Sequence, residues 1–143
     1  MIDRIHIVNG PNLNLVGQRE PEFYGHVSIE DYLDSIRDQF LMVQLEYFQS
    51  NHEGELIDYL HEHGFEKNAG FVLNAGGLTH TSVSLRDAVS AITSPVVEVH
   101  ITDIYKRESF RSHSFLTEVC KASIVGKGLE GYKEAIDFLI KDR

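Results

Sequence analysis

Apolar residues fall along this chain in two spacings. Short runs at 4–9 (Arg-Ile-His-Ile-Val-Asn), 44–49, 70–74, 95–101 and 121–126 read as strands. Apolar residues three and four positions apart read as helices at 29–42, 53–63, 79–92 and 129–141. Ile29, Leu33, Ile36 and Phe40 form the first helical stripe, Leu56, Ile57 and Leu60 the second, and Ala135, Ile136, Leu139 and Ile140 the last. Ser28 with Asp31 three residues on resembles a capping box with Asp in place of Glu, and Gly64 marks a helix end. Strands alternating with helices argue for a parallel sheet covered on both faces. The expected fold is α/β, a flavodoxin-like three-layer sandwich with strand order 2-1-3-4-5, in a single domain spanning 1–143. Ligands of such folds bind beyond the carboxyl ends of the strands, at the switch point between strands one and three.

Two segments meet at that switch point. The first runs from Asn9 to Gly25 and carries Gly10, Pro11, Gly17, Arg19, Pro21 and Tyr24. It is far longer than the roughly 2–6 residues usual between elements of compact α/β domains, and such length usually marks a functional loop. The second is Asn74-Ala75-Gly76-Gly77-Leu78-Thr79-His80. Its glycines let backbone N–H groups approach a ligand, and a helix start, with Thr79 as its cap and His80 in its first turn, favours anions. A plain turn is the competing reading.

Charge narrows the partners. The chain carries 13 basic and 22 acidic residues, net −9, which argues against nucleic acid and anionic membranes. Arg19, Arg107 and Arg111 nevertheless fall in predicted loops at one end of the sheet, which suits capture of a small carboxylate or phosphate. No apolar run approaches the roughly 20 residues of a membrane span. A strand begins almost at the N-terminus, so no signal or transit peptide is expected. One cysteine, Cys120, cannot pair internally; it reads as an inert buried thiol in a reducing cytoplasm.

Glu98 and His100 lie two apart in a strand and so share a face. A carboxylate beside a histidine fixes its tautomer and raises its basicity, which suits a general acid or base. A purely structural pair is the alternative. Metal ligation by His80, His100, His113 and Glu98 is a third reading, but no zinc-like spacing is present. His61 and His63 point apart on their helix and read as surface residues. Gly126-Lys127-Gly128-Leu129-Glu130-Gly131 fits the dinucleotide-binding glycine pattern, yet no strand or acidic residue follows in the places that motif needs.

The ordered set Asn9-Gly10-Pro11-Asn12-Leu13-Asn14-Leu15, Gly17-x-Arg19-Glu20-Pro21, Tyr24-Gly25, Asn74-Ala75-Gly76, His80-Thr81-Ser82, Glu98-Val99-His100-Ile101 and Arg107-Glu108-x-Phe110-Arg111 resembles type II 3-dehydroquinate dehydratase over essentially the whole chain. The resemblance implies a single catalytic domain that converts 3-dehydroquinate to 3-dehydroshikimate without metal or other cofactor. It implies Tyr24 as the base at C2, His100 (beside Glu98) as the acid at the C1 hydroxyl, Arg19 as support for the tyrosinate, and Asn12 as holder of the water that stabilises an enolate. Asn74, Gly76, His80, Ile101, Thr102 and Arg111 are implied to bind substrate. The family forms dodecamers of four trimers, and Asp87 matches an aspartate that reaches a neighbouring site. A tyrosine with pKa about 10 needs a cation to lower it by about 1–3 units for this role, and Arg19 is near in sequence. Asp103 departs from the family's usual asparagine and is expected to place a negative charge near the anion site. A non-catalytic binder of a small carboxylate or flavin is the alternative; the intact Arg19, Tyr24 and His100 set argues against it.

Overall fold

The computed structural model describes residues 1–19 and 21–141, with the side chains of all of these except Phe23 and Tyr24. Five strands, β1 (Arg4–Asn9), β2 (Gln44–Gln49), β3 (Ala69–Asn74), β4 (Val96–His100) and β5 (Ala122–Val125), pair in parallel in the order β2-β1-β3-β4-β5. This is the expected flavodoxin-like order. The helices are α1 (Pro21–Tyr24), α2 (Ile29–Ile36), α3 (Glu53–His63), α4 (Val83–Ala91) and α5 (Glu130–Lys141).

Strand alternation divides the interior into two layers. Ile5, Ile7, Val72, Val97 and Val99 meet α2 and α5 on one face, whereas Val8, Phe71, Leu73 and Val96 meet α3 and α4 on the other. Both faces of β1 and β3 are therefore covered, and β1 is buried from Ile5 to Asn9 and β3 throughout. Ser28 Oγ accepts from Asp31 N at 3.1 Å, so the capping serine at the start of α2 is real. Ala135, Ile136 and Leu139 are fully buried, with Ile140 only half-buried.

Several boundaries differ from the sequence expectation. Strands three, four and five end or begin one residue away from the predicted limits. The helix expected over 29–42 ends at Ile36 and tightens into a 3-10 turn, Arg37–Gln39. Arg37 Nη1 donates to the Leu45 carbonyl at 2.7 Å, and Leu41 and Met42, 81% and 87% exposed, have no core to pack against. Gly64 does end α3, but with φ −72 rather than a left-handed cap; a Cβ there would collide with the Ile92 side chain and the Leu60 carbonyl. The helix expected over 79–92 begins only at Val83. Its cap is Ser82, whose Oγ accepts from Leu85 N at 2.9 Å. Thr79 is instead buried in the 3-10 turn Gly76–His80, and His80 closes that turn rather than opening a helix.

The first loop is more ordered than its composition suggests. A 3-10 turn at Leu13–Leu15 and α1 interrupt it, and Leu13 and Val16 plug into the core at 7% and 3% exposure.

Candidate active site

β1, β3 and β4 end together in Asn9, Asn74 and His100. Asn9 and Asn74 are register partners across the switch point. Asn74 Nδ2 donates to Tyr132 Oη at 3.0 Å, Tyr132 Oη donates to Asn9 Oδ1 at 2.9 Å, and Asn9 Nδ2 donates to Tyr47 Oη at 3.3 Å. Burial pushes the Tyr132 hydroxyl above its ordinary range, so it stays a neutral donor. This buried chain fixes the strand ends on which the loops are mounted. Nothing in local sequence pattern links Tyr132, in α5, to two asparagines far upstream.

The two loops touch backbone to backbone. Gly76 has φ +60, and a Cβ on it would meet the Pro11 carbonyl at 2.9 Å; a Cβ on Gly10 would collide with the Ala75 carbonyl. Asn74 Oδ1 accepts from Gly76 N at 3.2 Å and holds the turn. Asn12 sits at φ 69, with its N–H donating to Asn51 Oδ1 at 2.9 Å. Gln49 Nε2 donates to the Gly10 carbonyl at 3.2 Å, tying the loop to the end of β2.

These loops and the chain after β4 enclose a cavity of about 160 Å³. The predicted residues Asn12, Arg19, Asn74, Gly76, His80, His100, Ile101, Thr102 and Arg111 all line it. Arg107, singled out for its charge and as part of the Arg107–Arg111 motif, lines it too. Three arginines and two histidines face the cavity, and no described lining residue is acidic. In a chain of net charge −9 that concentration of positive charge selects for an anion. Arg111 Nε lies 3.0 Å and Arg107 Nε 3.7 Å from Glu108 Oε1, which orients both guanidinium groups.

Glu98 has no solvent exposure. Its Oε2 accepts from His100 Nε2 and from Ser114 Oγ, each at 2.6 Å, and its Oε1 accepts from Thr117 Oγ1 at 2.6 Å. Burial alone would raise its pKa; the hydrogen bonds of His100, Ser114 and Thr117 outweigh that and bring it down to about 2. Ionised at neutral pH, Glu98 accepts only, so His100 carries a proton on Nε2 and Nδ1 is left as its other ring nitrogen. Ser114 and Thr117 come from an irregular segment with no periodic signal, and sequence reasoning did not find them. His80 Nδ1 donates to the His113 carbonyl at 2.7 Å. Burial, reinforced by the positive charges of His100 and Arg111, lowers the His80 pKa, which keeps the ring neutral with Nε2 as an acceptor.

Five expectations are revised or fall elsewhere. Asp103 is not among the cavity-lining residues: its Oδ1 accepts from Tyr105 N at 3.0 Å to cap the turn Ile104–Lys106, and Lys106 Nζ lies 3.9 Å from its Oδ2. The charge is spent on the turn. His63 is not a plain surface residue but packs beside His6 and Glu66. The set His80, His100, His113 and Glu98 does not converge; among the described residues the metal-ligand group is His6, His63 and Glu66. Asp87 is exposed on α4, away from the cavity of its own chain. Tyr24 ends α1, and its side chain lies outside the described residues.

The family model described as dehydroquinase class II matches residues 3–140. The chain is 52% identical over 139 residues to the 3-dehydroquinate dehydratase of Bacillus pumilus (strain SAFR-032), covering 95% of this chain and 93% of that protein. It is 46% identical over 141 residues to that of Halothermothrix orenii, covering 97% and 95%. The crystal structure of type II dehydroquinase from Butyrivibrio crossotus DSM 2876 superposes with a TM-score of 0.92 at 38% identity, covering 98% of this chain and 99% of that one.

Proposed function

The chain belongs to the class II dehydroquinase family, and on that premise we infer how it dehydrates 3-dehydroquinate to 3-dehydroshikimate, the reaction it performs in the shikimate pathway. It is a hydro-lyase. The observation that carries the reading is the Glu98–His100 pair, opening on a cavity lined by arginines and, among the described residues, by no carboxylate.

Tyr24, as phenolate, takes the proton from C2 beside the ketone. Arg19 lowers the tyrosine pKa and steadies the charge. The electrons pass to the ketone oxygen as an enolate, which a water held by Asn12 stabilises through donated hydrogen bonds. His100 then gives a proton to the C1 hydroxyl, which leaves as water while the double bond forms. Glu98 keeps the His100 ring in one tautomer and stabilises its charged form. The substrate carboxylate is taken by Ile101, Thr102 and Arg111, and its hydroxyls by Asn74, Gly76 and His80. The convergence of Asn74, Gly76, His80, Ile101, Thr102 and Arg111 on one cavity supports the binding assignment. Asn74 keeps one amide hydrogen for a ligand, since an amide has two and Tyr132 takes one.

We further propose that residues 1–143 act as one catalytic domain, without metal or cofactor, in a cytoplasmic dodecamer of four trimers. Exposure of Asp87 outside its own cavity is compatible with its reaching a neighbour's. A cytoplasmic setting is supported by the lone thiol of Cys120, which burial pushes up to about 12. No helix among the described residues is long and apolar enough to cross a membrane. Purified protein given 3-dehydroquinate alone should generate the ultraviolet absorbance of a conjugated enone. Tyr24→Phe should abolish that signal while a substrate analogue still binds; robust turnover in this variant would remove Tyr24 as the base.

A further inference from the structure

Away from the cavity, one cluster of ligating side chains has no part in the dehydration. His6 on β1, His63 at the end of α3 and Glu66 in the turn beyond it converge on the sheet face that α3 covers. Glu66 bridges the two imidazoles: Oε1 accepts from His6 Nε2 and Oε2 from His63 Nδ1, each at 2.8 Å. The rings lie nearly side by side, with centroids 4.7 Å apart and planes tilted by 31°. The potential ligand atoms all lie within 4.8 Å of one another. His6 is 1% exposed, whereas His63 and Glu66 are 26% and 29% exposed, so the cluster is walled by the sheet and open on its outer side.

The geometry points to a divalent-cation site suited to zinc, held by His6 Nε2, His63 Nδ1 and one oxygen of Glu66, with a fourth position open to water. Two imidazoles and a carboxylate are a three-ligand zinc set, and nitrogen donors disfavour magnesium and calcium. Zinc bonds of about 2.0–2.2 Å at a tetrahedral centre place ligand atoms roughly 3.3 Å apart. The ligating oxygen starts 2.8 Å from one ring nitrogen, the other nitrogen lies within 4.8 Å, and Glu66, in a turn, can shift to bring the three to that spacing.

The surrounding groups fit the same reading. His6 Nδ1 lies 2.7 Å from Tyr59 Oη, and His63 Nε2 lies 4.0 Å from Glu62 Oε2. Each ring thus has an acceptor near the nitrogen opposite the ion, the arrangement that orients metal-ligating histidines. On binding, the His6 proton moves from Nε2 to Nδ1 towards Tyr59, and the His63 proton from Nδ1 to Nε2 towards Glu62. Glu66 exchanges two N–H donors for the cation, and no proton is released. Burial lowers the His6 pKa and keeps the ring in its neutral, ligating form. Burial opposes ionisation of Glu66, but hydrogen bonds from His63 and His6 hold its carboxyl below the ordinary range. Arg4 Nη1, 3.8 Å from Glu66 Oε2, is 42% exposed and can swing into water as the cation enters. His6 precedes Asn9 by three residues, roughly 10 Å of strand, so the ion would clamp the end of α3 to β1 well away from the reacting groups.

Chelator-stripped full-length protein should bind one equivalent of cobalt(II) with a visible absorption band that zinc displaces, and zinc should raise its thermal midpoint by mass action. His63→Ala and Glu66→Gln, both at partly exposed positions, should weaken binding at least about tenfold and remove the midpoint rise; Tyr59→Phe should weaken it about tenfold. Absence of both the band and the midpoint rise in folded wild-type protein overturns the site. So does wild-type affinity retained in His63→Ala or Glu66→Gln, which would place the ion on other histidines.

Discussion

Two histidine–glutamate pairs are built onto this sheet, one at the carboxyl end of β4 and one in the amino-terminal half of β1. Their separations are nearly equal, 2.6 Å for His100–Glu98 and 2.8 Å for His6–Glu66. In the first, the glutamate is wholly buried and held by three donors, and the imidazole faces a cavity rich in arginine. In the second, the histidine is the buried member and a half-exposed glutamate is shared with a second imidazole. A histidine beside a carboxylate is therefore no signature of catalysis in itself. What the remaining lone pairs and protons face decides the chemistry: an open space for an anion in one case, a point where two nitrogens converge in the other.

Truncating each histidine separates the two pairs most sharply. His100→Ala should lower kcat by about 10²–10⁴-fold, the usual worth of a general acid, with analogue binding largely kept. His63→Ala should leave kcat within about twofold. Equal losses in steady-state assays of the two variants would erase the distinction. Next in size is the cavity's charge. Arg111→Ala removes a charge-assisted hydrogen bond worth about 1.5–3 kcal/mol. KM for 3-dehydroquinate should accordingly rise about 10–100-fold, with a smaller change in kcat.

A subtler difference lies in how pH acts on each pair. Glu98 titrates near 2 in the folded protein against 4.5 for the ordinary group, so its stabilisation is complete above 4.5 and is lost as pH falls towards 2. The amount is on the order of 3 kcal/mol for this fully buried group. For His6, burial lowers the folded pKa below 6.5, so the unfolded chain takes up its proton first and stability begins to fall as pH drops below 6.5. His80 acts in the same direction in the same window. Urea midpoints measured across these ranges should show two separate declines. His6→Gln should shallow the upper one and leave the lower one; an unchanged upper slope would mean that the burial of His6 carries no such linkage.

Much of this was legible in the residues, and the parts that were not share a physical origin. The layers and the boundaries of β1, β2 and α3 follow from periodicity, because buried faces must repeat at the period of the element that buries them, and the strand order follows from the alternation of strands with helices. Arg19, His80, His100 and Arg111 could be placed at one end of the sheet because parallel topology sends every strand end to the same side. What periodicity could not supply were pairings between irregular segments and distant elements: Ser114 and Thr117 on Glu98, Tyr132 on Asn9 and Asn74, Asn51 on Asn12. The start of α4 was misplaced because Thr79 and Ser82 are equally good caps in sequence, and only Ser82 meets a free N–H, that of Leu85. His63 was misjudged because its partner His6 lies on a strand far upstream.

On the proposed mechanism the carboxylate behind His100 serves the reaction, and the one behind His6 does not. Turnover of 3-dehydroquinate by Glu98→Gln and Glu66→Gln, measured side by side as the rate of enone absorbance, tests it directly. The expected kcat loss for Glu98→Gln is about 10²–10⁴-fold, with the fold intact by circular dichroism, and Glu66→Gln should turn over at near the wild-type rate. Wild-type turnover in Glu98→Gln, or a comparable loss in Glu66→Gln, would contradict it.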